Sequence, residues 1–506
     1  MGVAWAGQRV GGGRSAAGLP PRVPLLLLLL LAGSPRARAD PDAPAPQPAW
    51  SQAQLQQQFE QSYRRQHKHF EADSRGRPYD RSPMAGRARG ARAGGQPDPV
   101  PGLAAPEGPA LSPLTASMED LVLPFGYPLE SYPVETGDGF ILRMYRIPRG
   151  ARNATAGGGA AEGPRPAVIL HHGVTLASNC FVVMDPESSM GFYLADAGFD
   201  VWMVNTRGNT YSRGHRRFKS TDVSSYWAFS MDDLALVDLA TQIDFVLSRT
   251  GLRRAAFAGH SQGGTLALML LAARPEYNSK VSLLMLLGAL HRAELITAPF
   301  LRTQAAGGSA NLLRRLGSGQ FLANTVTSPF VDSCEGPAVT QMCFELFNFL
   351  FYGPSKAVDG RDFPRVAATW PATVGASNLV HWTQMRRAQR GLAMFDFGTD
   401  CGGAPECNGS ACTRTCNQAK YGTEQPPLYD LSRITAPSAV LEGDNDMMAV
   451  AQDAALLIRG LGAKPVYHKI YPETAHMDFV WARRPIMKAD IINMLWATAD
   501  VTRAGG

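Results

Sequence analysis

The chain has 506 residues, of which 45% are hydrophobic and 18% are charged. A chain of this length can bury a large core, and its composition excludes a protein that is disordered throughout. Residues 1–117 contain 14 Lys and Arg against 8 Asp and Glu, an excess that equals the net charge of +6. Residues 118–506 are therefore neutral in sum, which gives no support to a basic nucleic-acid-binding domain.

The N-terminal region has the pattern of a secretory signal peptide. Arginines precede an apolar run at residues 25–31, and the small residues Ala37 and Ala39 have the spacing that signal peptidase cleaves. The run is too short to span a bilayer, and no other apolar stretch reaches that length. We expect residues 1–39 to direct the protein into the secretory pathway, to be secreted or delivered to a lysosome or vacuole lumen. The many arginines leave a chloroplast transit peptide as the alternative.

Residues 40–117 are rich in Pro, Gly, Ala, Gln and Arg and show little hydrophobic periodicity. We expect a low-complexity, disordered segment that serves as a linker or a removable pro-segment. One exception is the spacing of Leu55, Phe59 and Tyr63, which predicts a short amphipathic helix within residues 50–70.

Cysteine and glycosylation patterns agree with export. Asn153 and Asn408 are acceptors in the Asn-x-Ser/Thr pattern. Four cysteines lie in a short stretch that has almost no apolar residues, so two disulfides are its expected source of order, with a zinc site as the alternative. Their pairing cannot be deduced from spacing. We expect Cys180, the odd cysteine, to be buried and inert. The four clustered cysteines are Cys401, Cys407, Cys412 and Cys416.

Beyond the N-terminal tail, short apolar runs alternate with helical patterns such as the apolar spacing from Leu236 to Leu247. This alternation predicts an α/β fold, a mostly parallel sheet with helices on both faces. It stops across residues 291–430, where we expect a largely helical inserted cap with a cysteine-rich loop at 401–416. The core would then comprise residues 118–290 and 431–506. The predicted strands are residues 167–170, 199–204, 255–258, 282–287, 438–441 and 466–471.

Ser261 stands at the centre of Gly259-His-Ser-Gln-Gly263, between a predicted strand and a predicted helix. A serine on a tight strand-to-helix turn needs small residues two positions away on either side, because larger side chains there would collide. The pattern therefore indicates a nucleophile, with a plain glycine-rich turn as the alternative.

A serine hydroxyl needs a base within hydrogen-bond reach. His476 follows the last predicted strand, where the base of this arrangement is expected, whereas His468 lies inside that strand and is expected to pack there. The acid that orients the base should follow the preceding strand. Glu442, Asp444 and Asp446 all lie there, and spacing does not decide between the two aspartates.

The oxyanion of an acyl-transfer reaction must be met by backbone N–H groups. Gln262, directly after Ser261, is expected to supply one, and Val174, after the strand at 167–170, the other. The adjacent His171 and His172 suggest a metal as an alternative, but neighbouring side chains on an extended segment point apart and no third ligand is evident.

Residues 118–490 resemble the acid lipase family of α/β-hydrolases, the group that contains lysosomal acid lipase and gastric lipase. The match extends through most of this region in the family's order, in the stretches Gly126-Tyr-Pro128, Asp138-Gly-Phe-Ile-Leu142, Arg146-Ile-Pro148, His172-Gly173, Leu194-Ala-Asp-Ala-Gly-Phe-Asp-Val-Trp202, Asn205-Thr-Arg-Gly-Asn209, Trp227-Ala-Phe-Ser230, Gly259-His-Ser-Gln-Gly263, Phe395-Asp-Phe-Gly398, Asn445-Asp446 and His476-Met-Asp-Phe-Val-Trp481.

The resemblance implies specific roles for seven residues. They are Ser261 as nucleophile, Asp446 as acid, His476 as base, Val174 and Gln262 as oxyanion donors, and Cys334 and Cys343 as a disulfide pair.

The chain also departs from the family pattern. The family usually has leucine at the position of Val174 and threonine at that of Gly264. The insertion at 401–416 and the tail before residue 118 have no counterpart in the pattern, which leaves substrate preference open.

These patterns together predict a serine carboxylic ester hydrolase that cleaves fatty-acyl esters, either triacylglycerols or sterol esters, at a lipid–water interface. We expect no cofactor, no metal and no nucleic-acid partner. The alternatives are an inactive lipid-binding protein of the same fold and an acyltransferase, because hydrolysis and transfer share one acyl-enzyme.

Overall fold

The computed structural model describes residues 117–151, 164–299, 301–302, 319–321, 334, 337–355, 357–358, 362–399 and 416–503. Several predictions lie outside these residues and stay predictions. They are the signal peptide, the low-complexity segment with its helix at 50–70, both glycosylation sites, and the cysteines Cys401, Cys407 and Cys412.

Nine strands of the described residues form one mixed sheet in the order β1-β2-β4-β3-β6-β7-β10-β11, with β5 also paired to β2. The six strands β4, β3, β6, β7, β10 and β11 are parallel to one another. Strand β2 is antiparallel to β4, and β1 and β5 are antiparallel to β2. Two further strands, β8 and β9, form a separate short ladder. The strands are β1 (Glu130–Glu135), β2 (Phe140–Ile147), β3 (Ala167–His171), β4 (Asp200–Val204), β5 (Gly214–His215), β6 (Ala255–His260), β7 (Val281–Leu287), β8 (Gln320–Phe321), β9 (Val374–Gly375), β10 (Ser438–Gly443) and β11 (Tyr467–Tyr471).

All six predicted strands are confirmed, with bounds that differ by at most two residues. Strands β3, β4, β6, β7 and β10 are buried along their whole length, which is why each appears as an apolar run. The antiparallel strands β1 and β2 were not predicted from apolar runs. Their side chains alternate between buried and more exposed positions, so charged residues interrupt the apolar pattern.

Helices cover both faces of the sheet, as predicted. The adjacent residues Trp202 and Met203 of β4 point to opposite faces. Trp202 packs on Phe245, and Met203 packs near Gly191. The described helices are α1 (Met118–Val122), α2 (Met190–Asp196), α3 (Val223–Tyr226), α4 (Met231–Asp233), α5 (Ala240–Thr250), α6 (Gln262–Ala273), α7 (Pro337–Phe351), α8 (Phe363–Thr369), α9 (Ala376–Ala388), α10 (Asn417–Tyr421), α11 (Ala451–Gly460), α12 (Asp478–Trp481) and α13 (Pro485–Ala497). A π-helical segment, Leu234–Leu239, joins α4 to α5.

Residues 291–430, which we call the insertion, lie between β7 and β10, two neighbours in the sheet. Its described part contains α7 to α10 and the β8–β9 ladder. A disulfide joins Cys334 to Cys343, the pair implied by the family resemblance. Cys416 is also disulfide-bonded, and Cys180 is free and buried, as predicted. Within the described ranges, no helix has both the length and the apolar character that crossing a bilayer requires.

A buried ion pair joins the loop after β4 to the π-helical segment. The side chains of Arg207 and Asp238 are 1% and 0% exposed, and a guanidinium nitrogen lies 2.6 Å from a carboxylate oxygen. Arg207 also pairs with the half-exposed Asp138, 2.6 Å away, in the turn before β2. The guanidinium therefore links three segments that are distant in sequence.

Replacing Arg207 by Met should lower the free energy of unfolding by about 3–5 kcal/mol, because it leaves the Asp238 carboxylate buried without a counter-ion. Urea denaturation followed by tryptophan fluorescence would measure the loss. Arg216→Met is the matched control: its ion pair with Glu135 is exposed, so the loss should stay below about 1 kcal/mol. Equal losses of unfolding free energy in the two variants would contradict a stabilising role of the buried Arg207–Asp238 pair.

Candidate active site

Ser261 lies on a sharp turn between β6 and α6. Its φ of 54° and ψ of −125° are unusual for a residue with a side chain. The turn brings backbone segments together: a Cβ on Gly259 would lie 2.4 Å from the nitrogen of Gly264, and one on Gly263 would lie 2.4 Å from the carbonyl oxygen of His171. Both predicted glycine positions therefore have no space for a side chain.

Ser261, His476 and Asp446 form a continuous hydrogen-bonded chain. His476 Nε2 lies 2.8 Å from Ser261 Oγ, and His476 Nδ1 lies 2.8 Å from Asp446 Oδ2. The other carboxylate oxygen of Asp446 accepts hydrogen bonds from the backbone N–H groups of Met448 and Ala449, at 2.7 and 2.8 Å. The chain is buried, with Ser261 only 3% exposed, and low solvent access strengthens such polar interactions.

The three acids that competed for the role of orienting the base have different partners. Asp446 contacts His476. Asp444 instead accepts a hydrogen bond from the backbone N–H of Thr474 at 3.2 Å. Glu442 pairs with His468, which lies in edge strand β11 as expected for a packing residue. The geometry therefore distinguishes Asp446 from Asp444, which spacing alone could not do.

Two further aromatic side chains flank the His476 ring. The Tyr352 ring is nearly parallel to it, with an interplanar angle of 11° and a centroid distance of 5.9 Å. On another side, His260 packs at 4.9 Å, and its Nε2 lies 3.0 Å from the His476 carbonyl oxygen. These contacts restrict both the ring and the backbone of His476.

The loop after β3 lies directly against Ser261. A Cβ on Gly173 would be 3.0 Å from Ser261 Cβ, so Val174 follows a residue that touches the candidate nucleophile. The next residue, Thr175, has a φ of 57°. Gln262 is the first residue of α6, and the N–H of a first helical residue has no acceptor within its own helix. This placement suits both residues as N–H donors beside Ser261.

Three histidines beside the serine are buried and neutral. Burial lowers the pKa of His171 to about 3 and that of His172 to about 4, and it lowers the pKa of His260 well below the usual range. His172 Nδ1 lies 2.8 Å from the carbonyl oxygen of Gly173, and Nε2 lies 3.2 Å from the side-chain nitrogen of Asn209. Both ring nitrogens of His172 thus have protein partners.

The structure brings the predicted Ser261, His476 and Asp446 together, and it places Gln262 and the loop of Val174 beside them. Sequence reasoning missed Tyr352 and His260, and also two tryptophans of the insertion, Trp370 and Trp382. Trp382 donates a hydrogen bond to the Gln262 side chain at 2.7 Å, and Trp370 donates one to Thr175 Oγ1 at 3.2 Å. Two signals were available: His260 lies within the serine motif, and Tyr352 ends an aromatic run that begins at Phe344.

Two family models match the chain. One, described as the alpha/beta hydrolase fold, matches residues 166–482. The other, described as a partial alpha/beta-hydrolase lipase region, matches residues 118–185. Together they extend from α1 to the segment that follows His476.

Curated relatives match most of the same region. The chain is 32% identical to lysosomal acid lipase/cholesteryl ester hydrolase of Homo sapiens, over 72% of this chain and 86% of that protein. It is also 32% identical to gastric triacylglycerol lipase of Bos taurus, over 72% of this chain and 87% of that protein. Among solved structures, an alpha/beta hydrolase fold protein from Chitinophaga pinensis is similar over 73% of this chain and 98% of its own, at 15% identity and a TM-score of 0.41.

Gly263→Ala should lower the free energy of unfolding by about 1–3 kcal/mol, because the added methyl group meets a backbone carbonyl that cannot move without displacing β3. Gly137→Ala is the matched control, since a Cβ there meets nothing within 4 Å and should change stability by less than about 0.5 kcal/mol. Urea denaturation of both variants is the measurement. An unchanged free energy of unfolding in Gly263→Ala would contradict the close approach of Gly263 to the His171 carbonyl.

Acidification should destabilise the fold through His172. An unfolded histidine has a pKa of about 6.5, so below that pH the unfolded chain binds a proton that folded His172 does not bind until about pH 4. The stability contributed by the neutral ring is complete above pH 6.5 and falls by about 1.4 kcal/mol per pH unit as pH decreases. His172→Asn should make the slope of unfolding free energy against pH shallower by that amount between about pH 6 and 4.5. Identical slopes in the variant and the wild type would exclude this role.

Proposed function

Because the chain belongs to the acid lipase family of α/β-hydrolases, we propose that it is a serine carboxylic ester hydrolase of the lipase type. The single observation that carries the proposal is the buried chain of hydrogen bonds from Ser261 through His476 to Asp446. A serine hydroxyl gains nucleophilicity when a histidine can accept its proton and an acid holds that histidine.

In the proposed reaction, Ser261 Oγ attacks the ester carbonyl while His476 Nε2 accepts the hydroxyl proton. The C–O bond to the leaving alcohol then breaks, and the protonated His476 donates its proton to that oxygen. Asp446 holds Nδ1 and stabilises the imidazolium between the two transfers. A water molecule then attacks the acyl carbonyl while His476 accepts its proton. The bond from the acyl carbon to Ser261 Oγ breaks, His476 returns the proton to Oγ, and the fatty acid leaves.

The negative oxygen of each tetrahedral intermediate would be bound by the backbone N–H groups of Val174 and Gln262. The position of Gln262 at the start of α6 supports this role, because helix N-termini carry partial positive charge. The close packing of Gly173 on Ser261 supports it for Val174. The family's leucine and this chain's valine are equivalent here, since the donor is a backbone group.

We propose fatty-acyl esters, either triacylglycerols or sterol esters, as the substrate class. The relatives carry the names gastric triacylglycerol lipase and lysosomal acid lipase/cholesteryl ester hydrolase, which leave both classes open. Helix α7 adds aromatic side chains near the site: Phe347 and Phe351 contact each other and both contact Trp370, whose indole N–H donates a hydrogen bond to Thr175. Phe347 is buried, whereas Phe351 and Trp370 are partly exposed and suit the apolar part of an acyl ester.

We propose that residues 1–39 direct the chain into the secretory pathway, to be secreted or delivered to a lysosome, in keeping with the names of its relatives. We also propose that the insertion serves as a cap on the core formed by residues 118–290 and 431–506.

Ser261→Ala should abolish ester hydrolysis without changing thermal unfolding, because it removes only the attacking oxygen. Asp446→Asn should lower kcat by about 10³–10⁴-fold, since an amide cannot stabilise the imidazolium. Asp444→Asn is the matched control and should retain activity within about threefold, because Asp444 does not contact His476. The measurement is turnover of a soluble p-nitrophenyl ester. Wild-type turnover by the Ser261 variant would refute the proposed function.

A panel of emulsified triacylglycerols and sterol esters, assayed from acidic to neutral pH, would identify the preferred substrate. A fluorophosphonate probe should label the wild type and leave Ser261→Ala unlabelled. Added alcohols would reveal acyl transfer if new esters form in place of free fatty acid. A protein that binds these lipids yet neither reacts with the probe nor hydrolyses any ester would be the inactive binding protein.

A further inference from the structure

Both proposed oxyanion donors lie next to a residue with a strained backbone conformation. Each donor adjoins a non-glycine residue whose φ is positive: Ser261, with a φ of 54°, precedes Gln262, and Thr175, with a φ of 57°, follows Val174. Residues with side chains hold such conformations only where surrounding contacts impose them. The backbone of Ser261 sets the direction of the Gln262 N–H directly, and the conformation of Thr175 sets the path of the loop that carries the Val174 N–H. Both donors therefore depend on contacts made by these short segments.

The insertion makes contacts to both segments. The indole N–H of Trp382 donates a hydrogen bond to Gln262 Oε1 at 2.7 Å. The indole N–H of Trp370 donates one to Thr175 Oγ1 at 3.2 Å, and the backbone N–H of Ala372 donates another to the Thr175 carbonyl at 2.7 Å. Each donor segment is thus bonded to a tryptophan, although the sheet carries the donors and the insertion carries the tryptophans.

Both tryptophans are themselves held firmly. Trp382 lies on α9, whose Arg386 donates a hydrogen bond to the carbonyl of Ala293 at 2.8 Å, near the end of β7. Trp370 packs against the rings of Phe347 and Tyr352 on the α7 side, at 4.6 and 6.4 Å. Side chains fixed in this way can transmit a defined position to the groups that they contact.

We propose that Trp370 and Trp382 are positioning residues for the oxyanion hole, and that the insertion completes the catalytic site by holding its two N–H donors. The inference rests on the proposed function, because it assumes that the Val174 and Gln262 donors bind an oxyanion. In this view the insertion contributes to transition-state stabilisation in addition to any role in substrate access.

The test compares variants that remove one indole N–H and keep an aromatic ring. Trp382→Phe should lower kcat for p-nitrophenyl butyrate by about tenfold with KM within about twofold, because a misplaced donor weakens binding of the transition state more than that of the substrate. A trifluoromethyl ketone forms a tetrahedral oxyanion with the serine, so its Ki should rise by the same factor. Trp370→Phe should behave in the same way.

A double-mutant cycle identifies the hydrogen bond itself. Gln262→Ala removes the acceptor of the same hydrogen bond and should lower kcat by about the same factor as Trp382→Phe. The kcat of the double variant should be little lower than that of either single variant. Gln262→Ala also keeps the inference testable if Trp382→Phe fails to fold. Trp496→Phe is the matched control: its indole N–H donates to the Ala197 carbonyl at 3.2 Å, away from the site, so kcat and Ki should not change.

The outcomes separate this inference from the proposed function. If the wild type hydrolyses esters and Ser261→Ala does not, the proposed function stands whatever the tryptophan variants do. Unchanged kcat and Ki in Trp370→Phe and Trp382→Phe would then overturn the positioning role alone. A rise in KM with an unchanged Ki would also overturn it, because that result indicates substrate contacts.

Discussion

The α-carbon of Gly263 lies so close to the end of β3 that a methyl group there would be 2.4 Å from the carbonyl oxygen of His171. This contact holds the first turn of α6 against β3, and Ser261, directly before α6, has the unusual φ of 54° and ψ of −125°. The serine is consequently held at the tip of the turn, where its hydroxyl meets the His476 ring. The alignment of Ser261 with His476 depends on this close approach.

The parallel sheet explains how distant parts of the chain meet there. Strands β6, β10 and β11 are linked through β7 and point the same way, so the loops after their carboxyl ends share one edge of the sheet. Ser261, Asp446 and His476 each follow one of these ends. All three residues are at most 5% exposed, so the sheet can keep their side chains aligned with little contact with solvent.

The insertion makes a different kind of contribution. The proposed nucleophile, base and acid all belong to the sheet and its loops, whereas the tryptophans that donate hydrogen bonds to Gln262 and Thr175 come from residues 291–430. Tyr352, at the end of α7, also packs on the His476 ring. In the proposed mechanism, the core would carry the reacting groups and the insertion would restrain them, so changes in the insertion would affect turnover.

The elements with a local signal were predictable from the amino-acid sequence: the apolar runs of the buried parallel strands, the glycine spacing around Ser261, and the position of His476 after the last strand. It could not separate Asp444 from Asp446 by spacing, because both lie in one short loop and only the fold decides which carboxylate faces the imidazole. The antiparallel strands β1 and β2 have no apolar run, because their side chains alternate between buried and more exposed positions. The contacts of Trp370 and Trp382 were decided by the tertiary structure alone, since they join residues more than one hundred positions apart and leave no periodic trace.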